Sequence, residues 1–248
     1  PLLSKNLRLA GRILKTDPSH DIFTQPRSWS YGSNDLFKSY YQDECKVEKD
    51  DIKTLKKAIN IASFRFGGCN KRFVDKSQLY TLKSRAIQSI LKEHNPYFIL
   101  ITRNPYISCY RAASGKAGDL KRYSKTMSFD ERYDVALQHW KNCMDTILSD
   151  SKYLENFKVI KFEDFISDVE GSTRKLCNFL NLKYSSDMLP QKNQSIPFAT
   201  KYKTRWYPLK LDVNDKYLDS IEDFYLDKAS SYLGESAKKF GYNHPRRK

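Results

Sequence analysis

A continuous apolar run from Tyr97 to Thr102 is the strongest strand signal in the chain. Its large side chains do not alternate with polar ones, which is typical of a strand buried on both faces of a parallel sheet. Arg103, Asn104 and Pro105 follow it directly. We therefore predict a buried strand that ends in a turn, with Pro105 in the first turn of a helix.

Other strand and helix signals lie on both sides of this run. The further strand candidates are Asp21 to Gln25, Arg72 to Asp75 and Phe157 to Phe162. Apolar residues at helical spacing predict helices over Leu2 to Leu14, about Leu36 to Ile61, Ala86 to His94, Ala136 to Leu148 and Thr173 to Leu180. This alternation predicts a three-layer α/β fold, in which helices cover both faces of a central parallel sheet of about four to five strands.

The length and composition fit one domain. A chain of 248 residues can bury a sizeable core without dividing, and we find no internal repeat or low-complexity linker. We therefore predict a single domain over residues 1–248.

The chain is strongly basic. Its 44 Lys and Arg residues against 29 Asp and Glu give a formal charge of +15, so its surface should attract anions. Nucleotides, sulfated sugars, nucleic acids and acidic lipids all fit this description. Since the basic residues are scattered, charge does not choose among them.

The cysteines and the hydropathy of the chain indicate its cellular compartment. The cysteines number five and no pair has metal-ligand spacing, so we predict no metal site. Cys109 and Cys177 lie in apolar surroundings, which favours packed, reduced thiols. We find neither a signal peptide nor an apolar run long enough to cross a bilayer. We predict a cytoplasmic protein; the alternative is the lumenal domain of a secretory-pathway enzyme whose anchor has been removed.

Arg103 is the first candidate for binding an anion. Ligands of parallel sheets bind beyond the carboxyl ends of the strands, where Arg103 is expected. Its guanidinium can contact a phosphate through two hydrogen bonds, and free amides at the helix start would assist. An arginine that closes a salt bridge at a strand end would leave the same sequence pattern, and both interpretations stay open.

The sequence around Arg103 resembles the sulfotransferase superfamily, in which an Arg-[Asp/Asn]-Pro turn follows a buried strand. In that family the arginine and a later serine bind the 3′-phosphate of 3′-phosphoadenosine-5′-phosphosulfate, and the fold is similar to that of P-loop NTPases. Arg103 is the direct match. The serine position falls on Arg111, while the nearest serine is Ser108; both share one helix face and either could meet the phosphate.

A second segment, Lys71 to Tyr80, is similar to the family's strand, acid and Lys-Ser/Thr-Pro motif. Lys76 and Ser77 match, and Gln78 replaces the proline. The resemblance implies that Lys76 lies near the sulfate and supplies the catalytic cation. The family's base is a His or Glu near the second strand, where this chain offers His20, Asp21 and Gln25. Glutamine does not accept the proton usefully, and His20 is our candidate.

Two later segments follow the family in the same order. Phe157 to Leu182 resembles a strand, a Tyr/Phe-Glu-Asp-Leu turn and a helix, and we interpret Glu163 and Asp164 as structural acids that cap the turn or pair with an arginine. Thr200 to Leu211 resembles the loop that covers the nucleotide. The candidates that it offers for cofactor binding are Lys201, Lys203, Thr204, Arg205 and Trp206, of which Trp206 also fits core packing.

The family's first strand ends in a Gly/Ser/Thr-rich loop that holds the 5′-phosphosulfate, and a leucine-rich helix follows that loop. This chain opens with a segment similar to that helix, so we expect the strand and loop to lie upstream of Pro1. The segment from Pro26 to Ser33 is the alternative, which we interpret as an acceptor-side loop.

The resemblance implies a sulfotransferase that uses 3′-phosphoadenosine-5′-phosphosulfate and acts on an acceptor hydroxyl. We expect a carbohydrate acceptor from nearby aromatic residues such as Tyr31 and Tyr106; a phenol or lipid headgroup stays open. Another P-loop-like phosphotransferase, such as a small-molecule kinase, ranks second because no GxxxxGK[ST] motif is present. A basic nucleic-acid-binding protein ranks third, since no motif of that class occurs. The sequence does not set the oligomeric state.

Overall fold

The computed structural model describes residues 29–66, 72–115, 120, 123–189 and 210–246. Two compact units divide them. The first draws on Pro1–Phe98 and Ala112–Phe157, and the second on Ile99–Arg111 and Lys158–Lys248. A single domain over residues 1–248 stays a prediction.

The described elements are mainly helical. In chain order they are α1 (Phe37–Tyr40), α2 (Lys49–Phe66), α3 (Ser84–Leu91), β1 (Tyr97–Thr102), α4 (Pro105–Ala113), α5 (Phe129–Asp150), β2 (Asn156–Lys161), α6 (Phe162–Ser167), α7 (Val169–Phe179), α8 (Asp215–Leu218) and α9 (Asp223–Lys239). Short 3₁₀ turns occur at Trp29–Gly32, Glu44–Lys46, Gln78–Leu82, Lys92–His94, Ser151–Tyr153, Ser186–Met188 and Leu211–Val213.

The long helix α5 carries much of the core of the first unit. A capping box starts it: the Ser128 side chain accepts from the Glu131 amide at 3.2 Å, and the Glu131 carboxylate accepts from the Ser128 amide at 2.6 Å. Its buried apolar residues recur every three or four positions and include Tyr133, Leu137, Trp140, Met144 and Ile147. The prediction of a helix over Ala136 to Leu148 is confirmed.

The 3₁₀ turn Trp29–Gly32 packs on α5 around the buried His139. The Trp29 ring stacks on the His139 ring with centroids 4.7 Å apart, and the Tyr31 ring meets it edge-on at the same distance. A Cβ on Gly32 would lie 2.4 Å from His139 Nδ1 and 2.9 Å from its Cα, so only glycine fits here. Burial lowers the pKa of His139 to about 3.

Around α3 the predicted helices are present, but their bounds differ from the predicted bounds. The predicted helix from Leu36 to Ile61 is two helices, because Asp43 accepts a hydrogen bond from the Cys45 amide and caps a separate turn between them. The predicted helix from Ala86 to His94 is α3 followed by a 3₁₀ turn, which Asn95 ends with a φ of 47°. Leu55, Ile87 and Ile90 form a buried cluster between α2 and α3.

Strands β1 and β2 pair as a small parallel sheet. The bounds predicted for β1 are confirmed, and β2 lies one residue earlier than predicted. The prediction that both faces of β1 are buried is wrong. Ile99 and Ile101 are 38% and 67% exposed, whereas Leu100 and Thr102 are buried. Within the described residues, one face of β1 is therefore covered.

The strand predicted over Arg72 to Asp75 is wrong. These residues have no regular secondary structure, and Val74 is 77% exposed. Asp75 accepts a hydrogen bond from the Tyr80 hydroxyl at 2.7 Å, so the segment closes on the following 3₁₀ turn. The candidates Asp21 to Gln25 and Leu2 to Leu14 lie outside the described residues.

The second unit contains α7 and α9, of which α9 presents a buried apolar stripe and α7 buries Cys177. Helix α7 contains most of the predicted helix from Thr173 to Leu180 and ends at Phe179, and Asn181 shortly after it has a φ of 52°. In α9 the buried residues Leu226, Ala229, Leu233 and Ala237 lie on one face. Cys109, Cys143 and Cys177 are buried free thiols, and Cys45 is exposed. None of the described helices has the length and apolar character needed to span a bilayer.

Candidate anion-binding site

The turn after β1 places Arg103 at the carboxyl end of the strand. Asn104 precedes α4, and its side-chain oxygen accepts a hydrogen bond from the Tyr106 amide at 3.0 Å. Pro105 starts the helix as predicted, since its fixed φ suits the first turn. Asn104 thus satisfies one helix-start amide that we expected to be open to a ligand.

Three contacts fix the Arg103 guanidinium. Its Nε and Nη2 both donate to the side-chain oxygen of Asn214, at 3.1 and 2.7 Å. The Phe162 ring lies against it, 4.8 Å from guanidinium carbon to ring centroid. Two hydrogen bonds in the guanidinium plane and a ring on its face leave the group little freedom to rotate.

Glu163, in the first turn of α6, joins three segments of the second unit. Its Oε1 accepts from the Asn104 amide at 2.9 Å and from Asn214 Nδ2 at 2.8 Å. Its Oε2 accepts from the Tyr242 hydroxyl at 2.9 Å. Burial and the adjacent carboxylate raise the pKa of Tyr242, so this hydroxyl stays protonated and donates. Glu163 is a structural acid, and it reaches Arg103 through Asn214.

Arg111 brings a second positive charge to Arg103. Burial lowers the pKa of the Arg103 guanidinium, and the charge of Arg111 lowers it further, while Glu163 acts in the opposite direction. Arg111 itself lies against the Tyr217 ring, 4.6 Å from guanidinium carbon to ring centroid. Two half-buried cations held close together repel each other, and a bound anion would relieve that repulsion.

Ser108 is less suited than Arg111 to meet the same anion. Its hydroxyl donates to the Asn104 carbonyl at 2.6 Å, one turn earlier in α4. Donation to a ligand would require that bond to break, because a hydroxyl has one proton. Of the two alternatives that the sequence left open, the geometry therefore favours Arg111.

The remaining predicted site residues are not brought to Arg103 by any described contact. Lys76 belongs to the first unit, where it is exposed just before the turn Gln78–Leu82. The others lie outside the described residues: His20, Lys201, Lys203, Thr204, Arg205 and Trp206. The described residues contain no cluster of three or more His, Cys, Asp or Glu that could hold a metal ion.

Sequence reasoning missed Asn214, Tyr217 and Phe162. Phe162 was assigned to the end of a strand, and Asn214 and Tyr217 follow the late loop without any recognisable pattern. Asn214 lies 111 residues from Arg103 in sequence, so no local signal links them. The Tyr/Phe-Glu-Asp-Leu motif, which contains Glu163, was the sequence signal closest to these residues.

Comparisons with known proteins identify a family and a similar fold. A family model described as the sulfotransferase family matches residues 12–186. A solved structure, the sulfotransferase domain from the curacin biosynthetic pathway, is similar with a TM-score of 0.56 at 19% identity. The similarity covers 79% of this chain and 69% of that domain, and it concerns the fold. No curated protein matches the sequence.

Proposed function

The chain belongs to the sulfotransferase family, and from this membership we propose that it transfers a sulfuryl group from 3′-phosphoadenosine-5′-phosphosulfate to an acceptor hydroxyl. The family and the fold support sulfotransfer in general. The identity of the donor is our proposal, and it depends on the anion-binding site in the second unit.

The observation that carries the proposal is the fixed pair of arginines. A 3′-phosphate is a dianion at neutral pH, and Arg103 and Arg111 offer two positive charges beside each other at the carboxyl end of β1. Arg103 and Arg111 bind this phosphate, and the hydroxyl of Ser108 is a further candidate. By resemblance, Lys201, Lys203, Thr204, Arg205 and Trp206 cover the rest of the nucleotide.

The catalytic roles rest on the resemblance. When bound, the cofactor supplies the sulfuryl group, and transfer then needs a cation for the developing negative charge and a base for the acceptor proton. We assign the cation to Lys76 and the base to His20. Lys76 is exposed, so its ammonium group is accessible to an anionic ligand.

The acceptor is a hydroxyl compound, for which we propose a carbohydrate. The aromatic residues that suggested a sugar contribute less than expected, because Tyr31 and Tyr106 are buried, with 4% and 1% exposure. Both rings are part of the packing and cannot stack on a sugar ring. The carbohydrate proposal therefore rests on the partly exposed aromatic residues of the same set, Trp29, Tyr40, Tyr41 and Tyr110.

Thermal unfolding with nucleotides tests the function. We expect adenosine-3′,5′-bisphosphate to stabilise the protein more than AMP or ATP does, because neither of those carries a 3′-phosphate. At a hundredfold excess over the dissociation constant, the bisphosphate should add about 2.7 kcal/mol to the free energy of unfolding. Equal shifts with AMP would contradict the proposal, and a larger shift with ATP would favour the kinase alternative.

A further inference from the structure

The two edges of the Arg103 guanidinium have different surroundings. Nε and Nη2 form its side-on edge, and the single oxygen of Asn214 accepts from both at 3.1 and 2.7 Å. Nη1 and the second proton of Nη2 form the end-on edge. Among the described residues, no acceptor is hydrogen-bonded to Nη1. The end-on edge therefore points away from Asn214, and it can bind an anion through two hydrogen bonds.

Glu163 decides which end of the Asn214 amide faces Arg103. Asn214 Nδ2 donates to Glu163 Oε1 at 2.8 Å, so the amide oxygen points to the guanidinium. The reversed amide would set its NH₂ group against the guanidinium and its oxygen against the carboxylate. Both contacts would be repulsive, so Glu163 and Arg103 select one orientation between them.

The partner of Arg103 is neutral, and this affects the charge that a ligand meets. A carboxylate on the same edge would form a bidentate ion pair and offset most of the guanidinium charge. The amide holds the same geometry without a negative charge. Glu163 lies on the far side of Asn214, where its two oxygens accept from three neutral donors: the Asn104 amide, Asn214 Nδ2 and the Tyr242 hydroxyl.

We propose that Asn214 is a positioning residue that fixes Arg103 for the 3′-phosphate without pairing the guanidinium directly with a carboxylate. Glu163 orients Asn214, and Phe162 holds the face of the guanidinium. The proposal rests on the proposed function and assigns a specificity role within that site. It explains why an amide, and not a carboxylate, lies beside the arginine.

Two substitutions separate the charge of Asn214 from its geometry. Asn214→Asp keeps an acceptor for Arg103 but adds a negative charge, and we expect it to weaken adenosine-3′,5′-bisphosphate binding by about tenfold to a hundredfold. Asn214→Leu removes the acceptor at similar volume, and we expect a loss of about three- to tenfold because Arg103 must then be ordered on binding. AMP affinity should change by less than about twofold in both, since AMP has no 3′-phosphate.

Isothermal titration with adenosine-3′,5′-bisphosphate and AMP measures the ratio of the two affinities, and thermal unfolding verifies that each variant is folded. Asn156 provides the control: its Nδ2 donates to Asn95 Oδ1 at 2.6 Å in the first unit, and Asn156→Asp should leave the ratio unchanged. If the Asn214→Asp variant does not fold, the affinity ratio of the Asn214→Leu variant tests the proposal by itself.

Three results would overturn the inference. One is an unchanged affinity ratio in the folded Asn214 variants. Another is an equal loss of affinity for both nucleotides together with a lower melting temperature, which would show a structural role for Asn214. The third is an unaltered protein that does not prefer the bisphosphate to AMP, and this result would overturn the proposed function as well.

Discussion

At the scale of single residues, the resemblance implies that the proposed site has an arginine where the family has a serine. Arg111 is long enough to place its charge near Arg103, and the Tyr217 ring supports it. The nearest serine, Ser108, bonds to its own helix instead. Replacing a hydroxyl with a guanidinium keeps a hydrogen-bond donor and adds a charge, which suits a dianionic phosphate.

If Arg103 and Arg111 bind one phosphate, their substitutions should not be additive. We expect Arg103→Ala to weaken adenosine-3′,5′-bisphosphate binding by about tenfold to a hundredfold, because a charge-assisted contact is lost. Arg111→Ser should retain more affinity than Arg111→Ala, since its hydroxyl can still donate. Isothermal titration of the two single alanine variants, the double variant and the unaltered protein gives the coupling energy.

An exposed arginine provides the control for this cycle. Arg174 pairs with Glu170 at 2.7 Å on the surface of α7, so Arg174→Ala should leave nucleotide binding unchanged. Strictly additive losses for Arg103 and Arg111, or unaltered binding by a folded Arg103→Ala variant, would remove the support for a shared phosphate.

At the scale of elements, the ends of helices follow from single side chains. Asn104 caps α4, Ser128 and Glu131 cap α5, and Asp168 accepts from the Gly171 amide at 2.8 Å at the start of α7. Each cap satisfies an amide that has no partner within its helix. Under the proposed function, the cap of α4 also matters for binding, because it fixes the turn that carries Arg103.

Removing the cap of α5 should destabilise the first unit. Ser128→Ala deletes the acceptor for the Glu131 amide, and we expect the free energy of unfolding to fall by about 1 kcal/mol, within a range of roughly 0.5–2 kcal/mol. Chemical denaturation measures the change. Ser124, which is exposed in the preceding turn, is the matched control, and Ser124→Ala should alter stability by less than about 0.5 kcal/mol. Equal effects of the two substitutions would show that the capping box contributes nothing.

At the scale of the whole molecule, the net charge and the site act over different distances. The formal charge of +15 attracts any anion, but this attraction is screened beyond about 8 Å at physiological salt. Under the proposed function, selection of one nucleotide must therefore come from the fixed contacts around Arg103. The exposed ion pairs, such as Lys56 with Glu93, contribute little to either property.

The stability of the protein should fall below neutral pH because of His139. Burial lowers its pKa from 6.5 to about 3, so between these values the unfolded chain binds a proton that the folded protein does not. The stabilisation is present above pH 6.5 and is lost as the pH falls toward 3, with a slope of up to about 1.4 kcal/mol per pH unit.

Chemical denaturation at several pH values between 6.5 and 5 measures this slope of the free energy of unfolding against pH. Few carboxylates titrate in this range. His139→Asn should flatten the pH dependence, although the variant is less stable at every pH. His94 is exposed, and His94→Asn should leave the slope unchanged. An unaltered slope in His139→Asn would exclude His139 as its source.

Local elements followed from the sequence because their causes are local. The bounds of β1, the start of α4 at Pro105, the apolar stripe of α5 and the order of the family motifs depend on neighbouring residues in the chain. The family assignment depends on the same short motifs, and it is confirmed by the match over residues 12–186. The resemblance to the family motifs also named Arg103, Arg111 and Glu163.

The tertiary structure alone decided what those residues meet. The exposed face of β1, the irregular segment Arg72 to Asp75 and the burial of Tyr106 depend on which neighbours cover them, and an apolar pattern does not specify the neighbour. Asn214 reaches Arg103 across 111 residues of chain, and no periodicity encodes that distance. A hydrogen bond between two side chains needs both ends in place to within a few tenths of an ångström, and only the packing of β1, α4, α6 and the segment before α8 provides this.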